Sequence, residues 1–202
     1  MKNQKYEVFR TPQWVIDLLI NSEWFEYTVD AREDDDTLMT ILDPSAGDNR
    51  IIKSICNHRL SRFYGKDYTK HFANDILSSD NINSNLDYDI LHNELVKNNT
   101  QFHLIITNPP FTKAEPWIRK IHEVMTDGGY CIFLQRLDWL ATQKRSEYFK
   151  NNDKLRLKHL LVLAKRPTWE IDGRKNSSST CEYAWFIFQK GFDGEFNGDW
   201  LI

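Results

Sequence analysis

Four consecutive residues, Asn108-Pro109-Pro110-Phe111, follow directly on the apolar run "FHLIIT" at 102–107. Their types suit one kind of chemistry. Two prolines donate no backbone N–H and hold the residue before them in an extended conformation. Such a turn leaves carbonyl oxygens free to accept hydrogen bonds and holds Asn108 in one orientation. The Asn108 amide oxygen and the Pro109 carbonyl suit the two hydrogens of an exocyclic amine, and Phe111 offers a flat apolar face to the ring that carries it. The competing reading is a rigid strand-to-helix turn with Phe111 in the core.

A second set lies in "DPSAGDNR" at 43–50. Asp43 and Pro44 end an apolar run. Ser45, Ala46 and Gly47 are small enough for the backbone to approach a ligand closely, and Gly47 is free in φ. Asp67 stands about 20 residues beyond this turn, where a carboxylate is placed to bind the two hydroxyls of a ribose. Asp89 and Ile90 offer one hydrogen-bonding group and one apolar surface, a pair suited to an adenine. No GK[ST] follows the glycine turn, which argues against a triphosphate.

These residues need elements to position them. Apolar runs predict strands at 37–43, 62–67, 102–107, 130–135, 157–164 and 183–191, with a short one near 88–91. Helical spacing predicts helices at 12–27, 49–60, 113–125 and 143–151, the first capped by Thr11 with Pro12 in its first turn and the third stopped by "DGG" at 127–129. Strands that alternate with helices, in runs without clean polar alternation, imply a mostly parallel sheet covered on both faces. The last two strands are joined by a polar loop, 165–180, and read as an antiparallel edge hairpin. In open sheets of this kind ligands bind beyond the carboxyl ends of the strands, where the residues above fall.

Composition narrows the choices. The chain has 202 residues and a net charge of −3, enough for one domain with a substantial core and no polycation, so a nucleic-acid surface must be a local patch. Three cysteines form no CxxC pair and six histidines show no ligand spacing. No metal site or disulfide framework is expected, and a reducing cytosol fits. Cys56 and Cys131, inside apolar runs, read as small buried hydrophobes. No stretch reaches about 18 apolar residues and no signal peptide opens the chain, so a cytoplasmic location without membrane is expected. "DAREDDD" at 30–36 reads as a solvated acidic loop. Two stretches mix cations with aromatics: 136–145, with Arg136, Trp139, Lys144 and Arg145, and 165–180, with Lys165, Arg166, Trp169, Arg174 and Lys175. Such mixtures suit phosphates and unstacked bases; mobile solvated loops are the alternative.

"FRTPQWVIDLLI", "DPSAGDN" and "NPPF", in that order, resemble the S-adenosylmethionine-dependent adenine-N6 DNA methyltransferases whose cofactor motifs precede the catalytic turn. The resemblance covers most of the chain. It implies a Rossmann-like α/β class I methyltransferase fold: a mostly parallel seven-stranded sheet, helices on both faces and an antiparallel C-terminal hairpin. It also implies one catalytic domain over 1–202, its N-terminal helix and cofactor motif in 1–29. Restriction-modification members of the group usually carry a large target-recognition region after the last strand; here only "KGFDGEFNGDWLI" follows, so no separate target-recognition domain is expected. The implied cofactor is S-adenosylmethionine. Thr11 would meet its methionine end, the loop of Asp43, Pro44, Ser45, Ala46 and Gly47 would lie beneath it, Asp67 would bind the ribose, and Asp89 with Ile90 the adenine. Asn108, Pro109, Pro110 and Phe111 would form the catalytic turn, with Asn108 also bordering the cofactor. The family pattern is DPxxGxG, and Asn49 stands where its second glycine is expected. Asparagine tolerates left-handed φ better than most residues, so a working loop with altered cofactor affinity is expected. The implied partner is DNA, with RNA as an alternative and with a specificity subunit or a second copy as protein partner. A small phage-like or orphan enzyme of low sequence selectivity fits best. Methyltransferases of ribosomal RNA, acting on adenine N6 or guanine N2, and of release-factor glutamine use the same turn. A non-catalytic subunit is a further alternative, though it would have no need of an intact Asn-Pro-Pro-Phe.

Overall fold

In β1 (Met39–Asp43) and β3 (Phe102–Thr107) buried side chains follow one another without alternation, so both faces of these strands must be covered. The structure, a computed structural model, describes residues 9–29, 39–58, 69–77, 82–171 and 174–202. The remaining strands are β2 (Thr69–Ala73), β4 (Met125–Arg136), β5 (Leu155–Leu163), β6 (Thr168–Ile171), β7 (Arg174–Ser178), β8 (Tyr183–Lys190) and β9 (Asn197–Leu201). Seven of them form one sheet in the order β2-β1-β3-β4-β8-β5-β9, and β6 pairs with β7 in a separate antiparallel hairpin. Only β8 runs against its sheet neighbours, β4 and β5; the other pairings are parallel.

The pleat sends alternate residues to opposite faces. Ile41, Leu104, Ile106, Ile132, Leu134, Trp185 and Ile187 pack with α1 (Gln13–Ile20) and α3 (Arg50–Asn57). Leu42, Ile105, Cys131, Phe133, Ala184, Phe186 and Phe188 face the other way, against α4 (Tyr88–Lys97), α5 (Ala114–Lys120) and α6 (Gln143–Asn151). Burial drives the Cys131 thiol well above its ordinary pKa, consistent with a buried hydrophobe. Trp185 is fully buried and its Nε1 donates to the Val15 carbonyl at 3.2 Å, tying α1 to the sheet. Trp185→Ala removes the ring and that bond together; a loss of about 3–5 kcal/mol is expected, read as a lower urea midpoint.

The expected fold class holds, with changes in membership. The predicted strand at 62–67 and the acidic stretch at 30–36 lie outside the described residues. β2 was not foreseen: "TKHFA" carries polar residues and lies at a sheet edge. The short strand expected near 88–91 is the first turn of α4, because the Asp87 carboxylate accepts from Asp89 N and caps a helix there. Thr11 does not cap the first helix; Pro12 holds that position without a side-chain bond. That helix ends at Ile20, and α2 (Glu23–Val29) restarts after Ser22, whose hydroxyl accepts from Phe25 N. The helix predicted to 125 ends at Lys120 and tightens into a 3-10 turn, so "DGG" lies inside β4. The "loop" 165–180 contains the β6–β7 hairpin. The expected antiparallel pairing of the last two predicted strands holds, as β5 with β8, but not its place at the edge: β8 inserts between β4 and β5, and β9 lies beyond β5.

Candidate active site

β1, β2 and β3 end side by side, with Asp43 opposite Ala73 and Leu42 opposite Ile105. The turn after β1 folds back on itself through hydrogen bonds. Ser45 N donates to Asp43 Oδ1 (3.1 Å), Ala46 N to the Asn74 carbonyl (2.8 Å), Gly47 N to Asp75 Oδ2 (2.8 Å) and Asn49 N to the Ala46 carbonyl (2.7 Å). With these amides engaged by the protein's own acceptors, the loop is not a nest for phosphate, in line with the missing GK[ST]. Gly47 has φ +56°, and a Cβ there would meet nothing within 4 Å. Asn49 is left-handed as well (φ 62°, ψ 24°) and starts α3, so asparagine here adopts the conformation that a second glycine would supply.

Asp43 is fully buried, and burial pushes its carboxyl up to about 7 against the opposing pull of the Thr107 hydroxyl and the Ser45 N–H. Arg50 ties the turn to two other elements. It chelates Asp48, donates from Nη1 to the Thr11 carbonyl (2.9 Å) and reaches Glu170 of β6 (3.4 Å). Burial opposes charge on Asp48, but the guanidinium overrides it and holds the carboxyl below its ordinary range.

A cavity of about 540 Å³ opens over these strand ends. Pro44, Ser45, Ala46 and Gly47 form part of its lining, Thr11 another part, and Asp75, Asp89, Asn108 and Pro110 border it as well. Asn108 is oriented by its own hydrogen bond: Nδ2 donates to the Phe9 carbonyl at 3.0 Å. An amide with its NH2 fixed on a carbonyl must turn its oxygen the other way. That oxygen, Oδ1, is buried and has no partner among the described residues, an expensive state unless a ligand's donor meets it.

The structure therefore brings Thr11, Pro44, Ser45, Ala46, Gly47, Asp89, Asn108 and Pro110 to one cavity, whereas Asp43, Asn49 and Pro109 are buried and do not line it. Two other assignments, Ile90 and Phe111, change. Asp67 lies outside the described residues, and Asp75 is the acid at the end of β2 that reaches the cavity. Ile90 is exposed and does not line the cavity; Tyr88 and Trp117, stacked at 4.0 Å, supply the apolar wall there. Asp89 is ion-paired with Lys120, and that contact holds its carboxyl below the usual range. Phe111 is absent from the lining and packs among Phe9, Trp169 and Tyr183 at 5.6–5.8 Å.

In the two basic stretches it is the tryptophans that are corrected. Trp139 and Trp169 are 9% and 5% exposed and belong to the core, which leaves neither a face for a base. Arg136 pairs with Asp138, Arg145 with Glu115 and Arg166 with Glu182. Lys165 lies over the Trp14 ring, Lys144 is exposed, and the side chains of Arg174 and Lys175 are outside the described part. Sequence reasoning missed Asp75, Arg50 and Phe9. The rule that acids after strands are functional would have found Asp75 had β2 been placed correctly. Among the described residues no His/Cys/Asp/Glu group suits a metal ion, and no helix is long and apolar enough to cross a membrane.

No protein-family model and no curated protein sequence matches the chain. Solved structures match its fold. A Listeria monocytogenes protein assigned to the class I S-adenosylmethionine-dependent methyltransferases superposes over 95% of this chain and 65% of its own, with 15% identity and a TM-score of 0.65. The M protein of the type I restriction enzyme EcoKI matches over 95% and 46%, with 15% identity and a TM-score of 0.59. The type IIG restriction endonuclease BpuSI matches over 94% and 26%, with 14% identity and a TM-score of 0.57. The chain thus has a class I methyltransferase fold and spans less than two thirds of each of these proteins.

Proposed function

We propose that this chain transfers a methyl group from S-adenosylmethionine to the exocyclic N6 amine of adenine in DNA. One observation carries the reading: an amide oxygen on Asn108 that is buried and without a partner among the described residues, held in place by its own NH2, where β3 meets a cavity floored by a glycine turn.

The residues present fit the cofactor. Gly47 offers open space where a Cβ would project, and the turn's engaged amides suit an uncharged or cationic moiety better than a phosphate. The 43–47 turn and Thr11 would hold the methionine end, Asp75 the ribose hydroxyls, and the wall formed by Tyr88 and Trp117, with Asp89, the adenine. When bound, S-adenosylmethionine supplies an electrophilic methyl on its sulfonium. The protein's part is positioning and charge stabilisation. The N6 lone pair of adenine is delocalised into the ring. Acceptance of an N–H by Asn108 Oδ1, with the Pro109 carbonyl taking the other, favours a pyramidal nitrogen whose lone pair faces the methyl. A base in duplex DNA must first be flipped out, at a cost of a few kcal/mol.

The choice of DNA rests on the order of the motifs and on the fold shared with the EcoKI M protein and BpuSI. The internal pairing of Arg136, Arg145 and Arg166 supports a weak grip by this chain alone. A specificity subunit or a second copy then supplies contacts to the phosphates. The same pairing favours, as a second reading, methylation of a glutamine amide on a release factor, which needs no polyanion surface.

Calorimetry with S-adenosylmethionine tests the cofactor site. Asp75→Ala is expected to weaken binding about tenfold to a hundredfold, the worth of hydrogen bonds to a charged group, while Asp67→Ala leaves it unchanged. The reverse result moves the ribose acid back to Asp67.

A further inference from the structure

Resting on the cofactor site proposed above, we propose that the Arg10 guanidinium binds the carboxylate of the methionine part of S-adenosylmethionine. Three cations line the cavity among the described residues: Arg10, Arg50 and Lys113. Two of them are committed elsewhere. Arg50 donates from Nε and Nη2 to Asp48, from Nη1 to the Thr11 carbonyl and from Nη2 to Glu170. Lys113 stands at the start of α5 and, after Lys120, is the next charge that Asp89 feels, which places it at the end assigned to the adenine. Arg10 is exposed and forms no ion pair among the described residues. It directly precedes Thr11, whose carbonyl is bonded to Arg50, and it is the charge that acts on Asp48 after burial and Arg50. Arg10 therefore stands beside the 43–48 turn, at the end assigned to the methionine.

A carboxylate taken from water into this cavity needs donors, because an ionised group without them is costly to bury. The turn does not supply them: Ser45 N, Ala46 N, Gly47 N and Asn49 N are all engaged by the protein's own acceptors. A guanidinium does, since its fork of N–H groups matches both oxygens of a carboxylate. One acid in the lining, Asp48, would repel the ligand's carboxylate, and chelation by Arg50 neutralises it. The two arginines thus divide the work, Arg50 balancing the turn and Arg10 meeting the ligand. The backbone that carries Arg10 is fixed at three consecutive residues. The Phe9 carbonyl accepts from Asn108 Nδ2 at 3.0 Å, Arg10 N donates to the Glu170 carbonyl at 3.2 Å, and the Thr11 carbonyl accepts from Arg50 at 2.9 Å. The long side chain therefore starts from a set position and needs to order only itself on binding.

The test is calorimetry on the full chain with two ligands. S-adenosylhomocysteine carries the carboxylate; 5′-methylthioadenosine keeps the nucleoside and the thioether but lacks the amino-acid part. Arg10→Ala is expected to weaken S-adenosylhomocysteine by about tenfold to a hundredfold, the size of a hydrogen bond to a charged group, and to leave 5′-methylthioadenosine unchanged. Arg10→Lys keeps the charge without the fork and should recover part of the loss. The melting temperature without ligand should match wild type, because the side chain has no ion pair to lose. Wild-type affinity of Arg10→Ala for S-adenosylhomocysteine, or equal losses for the two ligands, overturns the assignment. Weaker binding of a labelled oligodeoxynucleotide with unchanged affinity for S-adenosylhomocysteine also overturns it and gives Arg10 to a phosphate of the acceptor. None of these readouts depends on methyl transfer. A wild-type chain that binds S-adenosylhomocysteine and methylates no DNA refutes the proposed activity, and the comparison of the two ligands still decides the role of Arg10. A wild-type chain that binds neither ligand overturns the cofactor site and this assignment with it.

Discussion

Replacing Asn108 by alanine is expected to reduce methyl transfer by about a hundredfold to a thousandfold, the loss seen when a preorganised hydrogen-bonding group is removed from a transition-state site. The amide oxygen has no partner among the described residues, and its hydrogen bond to the amine strengthens as the nitrogen gains positive charge in the transition state. The loss should fall on kcat. Affinity for S-adenosylmethionine should change little, because the turn that would hold the cofactor is closed by its own hydrogen bonds and by Asn74 and Asp75. Single-turnover kinetics reads that step directly. Near wild-type turnover in Asn108→Ala would show that the Asn-Pro-Pro turn is only a structural corner.

Asp43→Asn is expected to change stability in a pH-dependent way. The folded carboxyl has its pKa raised to about 7, mainly by burial, from an ordinary value of 3.8. Folding therefore favours the protonated form. Its stabilisation is fully present below the unfolded value, and it declines as pH rises through the window from about 4 to about 7, beyond which both states are ionised. The total at stake is at most roughly 4 kcal/mol, from the energy of a proton shift of that size. Asparagine mimics the neutral acid and has no such slope. The variant should match wild type near pH 4 and exceed its stability at pH 8, measured by urea denaturation across the range. Parallel pH profiles for the two proteins would contradict a buried carboxyl of raised pKa.

Much of the site was legible because the chemistry lies where apolar runs stop. β1 and β3 are buried on both faces, so their runs are unbroken and their ends easy to place; the 43–49 turn and Asn108-Pro109-Pro110-Phe111 follow from them. Asn49 was readable from backbone sterics alone. β2 was not, because "TKHFA" carries lysine and histidine, both exposed. With β2 unplaced, Asp75, the acid after it that borders the cavity, was not considered. β9 was missed for a related reason: four of its five residues are exposed, so no apolar pattern marks it. Trp139 and Trp169 show a different limit. Each sits among cations in the sequence and inside an aromatic cluster in the fold, and only long-range packing decides between those fates. The cations around them find acids such as Glu115 and Glu182, from other segments of the chain, which local spacing does not reveal.

The central claim is tested most directly by incubating the purified chain with S-adenosylmethionine labelled in the methyl group, in parallel with DNA, ribosomal RNA and a release factor, and then identifying the labelled product. The account predicts label in DNA as N6-methyldeoxyadenosine, absent with Asn108→Ala. Label confined to a ribosomal RNA base or to glutamine, or no label on any acceptor while S-adenosylmethionine is bound, would contradict it.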